Sequence, residues 1–142
     1  MANPSIDPSA ASPAPAPQRA LRVLVADDDR DNVLMLMEVL RDEGHETRGV
    51  YDGDSVIDAI TLFKPDAVLL DIGMPQRTGY EIARYLRKRF GEAIMLIAIT
   101  GWSKPSDKIL ATLAGFDHHV AKPYDPQHLI QLLANLTPRM DP

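Results

Sequence analysis

The 142-residue sequence contains no cysteine. Disulfides, thiol nucleophiles and thiolate metal sites are therefore all excluded. It has no basic surplus either. The formal net charge of -5 argues against broad nucleic-acid contact, which needs cationic side chains to displace counterions. No run approaches the roughly 18 apolar residues of a membrane span, so no membrane partner is expected. No basic segment leads into an apolar stretch at the amino terminus, as a secretory signal would require. A cytoplasmic protein is the expectation. With 45% hydrophobic and 25% charged residues, the composition suits one folded unit with a real core.

Proline is present but unevenly placed. Pro4, Pro8, Pro13, Pro15 and Pro17 fall in the first 19 residues among alanine and serine. With almost no bulky apolar side chain, that stretch cannot offset the entropy of ordering. The expected organisation is a disordered tail over 1–19, one domain over 20–137 and a short terminal tail over 138–142.

Within the domain, apolar runs alternate with segments of helical period. Strands are expected over Leu21–Ala26, Glu46–Tyr51, Ala67–Leu70, Met95–Thr100 and His118–Ala121. Helices are expected over Asp31–Glu43, Asp54–Phe63, Tyr80–Phe90, Ser106–Ala114 and Pro126–Leu136. Gly44 and Gly115 offer left-handed stops, Pro65 ends the second helix, and Pro126 fits a first helical turn. Strands without polar alternation are buried on both faces, which implies a parallel α/β sheet covered by helices on each side. Function in such sheets gathers beyond the carboxyl ends of the strands. Those ends carry Asp27 and Asp28, Asp71, Thr100 and Lys122.

Several carboxylates in one pocket repel each other. At ~4 Å and an effective dielectric of ~20, each pair costs about 4 kcal/mol. A hard divalent cation with oxygen ligands relieves this, and Mg²⁺ favours one or two carboxylates together with waters and phosphate. The same cation neutralises an incoming phosphoryl group. An aspartate can then act as nucleophile and form an acyl phosphate. Lys122 supplies positive charge for phosphoryl oxygens and Thr100 a hydroxyl donor.

The segments VLVADDDRDN at 23–32, VLLDIGMP at 68–75, IAITGW at 97–102 and AKPYD at 121–125 resemble the motifs of response-regulator receiver domains, in order and spacing. GFDHHVAKPYD at 115–125 is similar to receivers attached to hybrid histidine kinases. The resemblance covers 20–136. It implies a doubly wound five-stranded parallel sheet of order 2-1-3-4-5, the flavodoxin-like, CheY-like fold. It also implies that Asp71 is the phosphoacceptor. Mg²⁺ would be held by Asp28 directly, by Asp27 largely through water, by Asp71 and by the Gly73 carbonyl. Thr100 becomes the switch hydroxyl, Lys122 the phosphoryl contact, and the Lys122–Pro123 bond cis. The chain departs from the family pattern at Gln76-Arg77-Thr78, where an acidic residue is usual before Gly79. His119 stands where Tyr or Phe is common and is expected to share the switch with Thr100.

The expected function is a signalling switch or relay component rather than an enzyme, with chemistry limited to self-phosphorylation and autodephosphorylation. Its donor would be a histidine kinase or a histidine-phosphotransfer domain, docking near the first helix, where Leu34, Met35 and Val39 fall off the core stripe. Output would pass through contacts with an unknown downstream protein. Gly73 and Trp102, two residues past the acceptor and the switch threonine, offer no acceptor for a hydrolytic water, so slow loss of phosphate is expected. Trp102 is either a packing residue or a shield over the pocket. His45 and His128 read as solvated, and adjacent His118 and His119 face opposite ways, which disfavours a shared metal. The competing reading is a phosphohydrolase resembling the haloacid dehalogenase superfamily, with Asp27 as nucleophile and Asp29 two residues on. It lacks the acidic metal motif expected after Lys122.

Overall fold

A computed structural model describes residues 20–101 and 104–136. The five strands are β1 (Arg22–Ala26), β2 (Glu46–Val50), β3 (Ala67–Asp71), β4 (Met95–Thr100) and β5 (His118–Ala121). All neighbouring pairs are parallel, in the order β2-β1-β3-β4-β5. The helices are α1 (Arg30–Asp42), α2 (Gly53–Phe63), α3 (Gly79–Phe90), α4 (Pro105–Ala114) and α5 (Pro126–Ala134). The expected doubly wound fold is therefore observed, with element ends shifted by one or two residues. The two tails and Trp102 lie outside the described residues.

Alternate residues of each central strand feed opposite cores, as the two-residue period of a strand requires. Val23, Val25, Leu69, Ile97 and Ile99 pack with α1 and α5 through Val33, Leu36, Leu40, Leu129 and Leu133. Leu24, Val68, Leu70, Leu96 and Ala98 pack with α2, α3 and α4 through Val56, Ile60, Phe63, Ile82, Leu86 and Ala111. The central strands β1, β3 and β4 are buried on both faces, which is why they carry no polar alternation, whereas edge strand β2 alternates exposed and buried residues. A Cβ on Gly49 would meet Val33 Cγ1 at 2.5 Å, so a side chain at this position of β2 would push α1 off the sheet.

The helix ends are fixed by short side chains. Asp29, Asp52 and Asp125 cap α1, α2 and α5 by accepting N–H groups of the first turn. Thr78 and Glu81 form a reciprocal capping box on α3. Gly44 and Gly115 adopt φ of 94° and 110°, the left-handed stops expected of them. Lys64 closes α2 at φ 54°, one residue before Pro65.

His45 corrects the sequence reading. It is not solvated but 5% exposed, and its Nδ1 accepts the Leu21 N–H at 3.1 Å. The turn after α1 thereby takes up a backbone donor that precedes β1. His128 is exposed, as expected.

At the amino-terminal edge of the sheet, Arg87 of α3 is held on all sides. Nε donates to the Gly115 carbonyl at 2.8 Å, Nη1 to those of Gly91 and Ile94 at 2.9 and 2.7 Å, and Nη2 to Asp117 Oδ2 at 2.6 Å. A Cβ on Gly115 would sit 2.5 Å from Arg87 Cγ, so glycine is needed there for space as well as for its positive φ.

Candidate functional site

Register brings the carboxyl ends of the strands together. Ala26 lies beside Leu70, Asp71 beside Ile99, and Thr100 beside Ala121. Asp27 therefore leaves β1 next to the end of β3, while Lys122 leaves β5 next to Thr100. Asp27, Asp71 and Thr100 are buried, with exposures of 2%, 7% and 2%, whereas Asp28 is exposed. One oxygen from each of Asp27, Asp28 and Asp71 falls within 4.8 Å of the others. Lys122 Nζ lies 3.1 Å from Asp71 Oδ2 and 3.3 Å from Asp27 Oδ2. The residues predicted to converge do so.

Each side chain is anchored by its local backbone. Asp71 Oδ1 accepts the Gly73 N–H at 3.0 Å, and Asp27 Oδ1 accepts that of Asp29 at 3.0 Å. Gly73 leaves the mouth uncrowded, and Gly79 closes the following turn by donating to the Ile72 carbonyl at 2.9 Å. A Cβ on Gly79 would approach Ile72 Cα to 2.7 Å, which explains why this glycine persists although Gln76-Arg77-Thr78 departs from the family pattern. Arg77 turns outward to pair with Asp54 at 3.0 Å, so its charge is spent on α2. The Lys122–Pro123 bond is cis, as the resemblance implies. The Lys122 N–H donates to the Thr100 carbonyl at 2.7 Å, tying the lysine's backbone to the end of β4.

Electrostatics separates the two buried carboxyls. Burial pushes the Asp71 carboxyl up, the Gly73 N–H opposes it, and the neighbouring Asp27 adds to the rise, so the net shift is above the ordinary value. Burial acts on Asp27 in the same direction, but the Asp29 N–H, the Asn32 amide and the Lys122 charge outweigh it and hold Asp27 low. Burial disfavours the Lys122 ammonium, yet the two carboxylates more than compensate and raise it. The donor set is all oxygen and concentrated negative charge beside one lysine, which fits a hard divalent cation.

Two residues of this region escaped the sequence reading. Asn32 Nδ2 donates to Asp27 Oδ2 at 2.8 Å, and the Tyr124 hydroxyl donates to Asn32 Oδ1 at 2.9 Å. The signal was weak: an asparagine one turn into α1 and a tyrosine two residues past Lys122. Asp29, Asn32, Met35, Lys122, Pro123 and Tyr124 line a groove of about 390 Å³ beside the acidic cluster. Leu34 and Met35 are exposed on α1, as expected, whereas Val39 is half-buried.

His119 is half-buried on β5, and neither ring nitrogen has a hydrogen-bond partner among the described residues. Burial and Lys108 of α4 push its imidazole down, with Asp107 opposing. Among the described residues, Asp27, Asp28 and Asp71 form the acidic or histidine cluster able to hold a metal, and the His118–His119 pair does not contribute.

A family model described as the response regulator receiver domain matches residues 23–134. The DNA-binding response regulator MtrA of Mycolicibacterium smegmatis is 36% identical over 109 residues, covering 77% of this chain and 47% of that protein. The receiver domain of Francisella response regulator 1452 superposes with a TM-score of 0.75 at 26% identity, over 81% of this chain and 93% of that one. The chemotaxis protein CheY4 of Vibrio cholerae shares the fold at a TM-score of 0.77 and 23% identity, over 84% of this chain and 100% of that one. The chain spans about half the length of the curated relatives it matches. These relatives are response regulators, which sets aside the phosphohydrolase reading with Asp27 as nucleophile. Since the MtrA relatives are DNA-binding regulators, the expectation of no nucleic-acid contact draws no support from them.

Proposed function

The chain belongs to the response regulator receiver family, whose members are phosphorylatable aspartate switches, and we propose that Asp71 is the acceptor here. The observation that carries this is the placement of Asp71 at the end of β3, within hydrogen-bond reach of Lys122 and beside Asp27 and Asp28. An Asp71 carboxylate oxygen attacks phosphorus as the phosphorus–nitrogen bond of a phosphohistidine donor breaks, and the bonding electron pair leaves with the imidazole nitrogen. Asp27, Asp28, Asp71 and the Gly73 carbonyl are the residues that would hold Mg²⁺, which supplies charge neutralisation for the phosphoryl oxygens. Lys122 moves its ammonium from the carboxylates onto a phosphoryl oxygen, and Thr100 donates its hydroxyl to another.

The donor is a histidine kinase or histidine-phosphotransfer domain, docking across Leu34 and Met35 and the adjoining groove. Output runs through protein contacts, with His119 following Thr100. Autodephosphorylation is the remaining reaction of the site. Among the described residues no helix is long and apolar enough to cross a membrane, in keeping with a cytoplasmic setting. The test is to incubate the protein with acetyl phosphate and Mg²⁺ and read the intact mass. Wild type should gain one phosphoryl group and Asp71→Asn none; equal labelling of both would remove the proposal.

A further inference from the structure

Asp27 Oδ2 accepts from two side chains, Asn32 Nδ2 at 2.8 Å and Lys122 Nζ at 3.3 Å. These donors differ in what else they must do. Lys122 also serves Asp71 at 3.1 Å and, on phosphorylation, the phosphoryl oxygens. Asn32 is then the side chain left to orient Asp27. A carboxamide can present either its oxygen or its amino group, and only the amino group suits a carboxylate. The Asp27 carboxylate therefore selects Nδ2, and Oδ1 is left to the Tyr124 hydroxyl, which donates to it at 2.9 Å and holds the carboxamide plane in place.

The tyrosine is itself well seated. Its ring packs against the core between the sheet and the α1 and α5 helices. It stands two residues past Lys122 and immediately before Asp125, the cap of α5. The loop carrying the lysine is therefore joined to the acidic cluster by two arms. One is the lysine itself, and the other runs from Tyr124 through Asn32; both end on the same oxygen of Asp27.

Resting on the receiver reading above, we propose that Tyr124 and Asn32 are positioning residues of the cation site. The tyrosine hydroxyl fixes the asparagine carboxamide, and the carboxamide holds Asp27 in the orientation from which it acts on Mg²⁺ beside Asp28 and Asp71. Partners one shell removed from a metal commonly set its affinity by tenfold or more. Because the two residues act in series, their effects should not multiply.

The experiment is calorimetric titration of Mg²⁺ into the wild type, Tyr124→Phe, Asn32→Ala and the double variant. Asn32→Ala should weaken binding roughly tenfold. Tyr124→Phe, which keeps the ring and its packing, should weaken it about threefold, a fraction of one hydrogen bond's worth. The double variant should match Asn32→Ala alone. In addition, the Asn32 side-chain amide resonances should move in Tyr124→Phe, a readout independent of the Asn32→Ala fold. Unchanged Mg²⁺ affinity in Tyr124→Phe, or a double variant losing the product of both factors, would overturn the inference while leaving the receiver assignment intact. A wild type that binds no Mg²⁺ would overturn both the inference and the proposed cation site.

Discussion

Arg87 and Asp117 meet at 2.6 Å across thirty residues of sequence, and Asp117 Oδ2 also accepts the Leu96 N–H at 2.8 Å. One carboxylate thus links α3, the start of β4 and the start of β5, at the edge of the sheet opposite the acidic cluster. Arg87→Ala leaves three carbonyls and a partly buried carboxylate short of their donors. The expected loss is about 2–3 kcal/mol, or roughly 10 °C in melting temperature. Arg87→Lys should recover only part of it, because an ammonium cannot match the planar fork. Thermal unfolding of both variants checks this.

His45 gives the stability a pH dependence. Burial depresses its imidazole below the ordinary value of 6.5, with Glu43 opposing only in part. The unfolded chain therefore binds the proton more readily than the folded one. Stability from this group is complete above about pH 6.5 and falls as pH drops toward the folded value. His45→Asn, which keeps an acceptor for the Leu21 N–H, should flatten the decline below about pH 6.5. Denaturant titrations across that range would show it; an equal slope in the variant would contradict the assignment.

The strands and helices were legible because their signals are local. Apolar runs, helical spacing and glycine stops all lie within a few residues of what they determine. The convergence of Asp27, Asp28, Asp71, Thr100 and Lys122 was legible too, through the rule that strand carboxyl ends form the site. The Arg87 clamp, buried His45 and the Tyr124–Asn32 bond were not. Each includes a contact between polar groups 24 or more residues apart, and nothing in the flanking pattern marks a surface-type residue as buried and bonded. The Thr78–Glu81 capping box is different, since its three-residue spacing is a local signal.

Crowding of three carboxylates, one oxygen from each within 4.8 Å of the others, should make the fold sensitive to cations. Mg²⁺ at a hundredfold excess over its dissociation constant should stabilise by about 2.7 kcal/mol. Asp28→Ala should remove that gain while leaving the metal-free protein folded, since Asp28 is exposed. A melting scan with and without Mg²⁺ decides the matter. A rise retained in the variant would place the cation elsewhere.

Phosphorylation should be felt at Thr100 and His119. The imidazole nitrogens lack partners among the described residues, so no hydrogen bond holds the ring in its present position. Movement of Thr100 toward the phosphoryl group would open room for it. Backbone and side-chain resonances of both residues should shift when acetyl phosphate and Mg²⁺ are added. Static resonances in a fully phosphorylated sample would exclude this readout.

The most direct test of the account locates the acyl phosphate itself. Borohydride reduction converts a phosphorylated aspartate to homoserine, and trypsin then separates the candidates. Asp27 and Asp28 fall in the peptide from Val23 to Arg30, whereas Asp71 falls in that from Gly49 to Arg77, because Pro65 protects the bond after Lys64. Homoserine at position 71, dependent on Mg²⁺, is the predicted result. Homoserine at 27, or label spread without preference over exposed aspartates, would contradict the assignment of Asp71 as the acceptor.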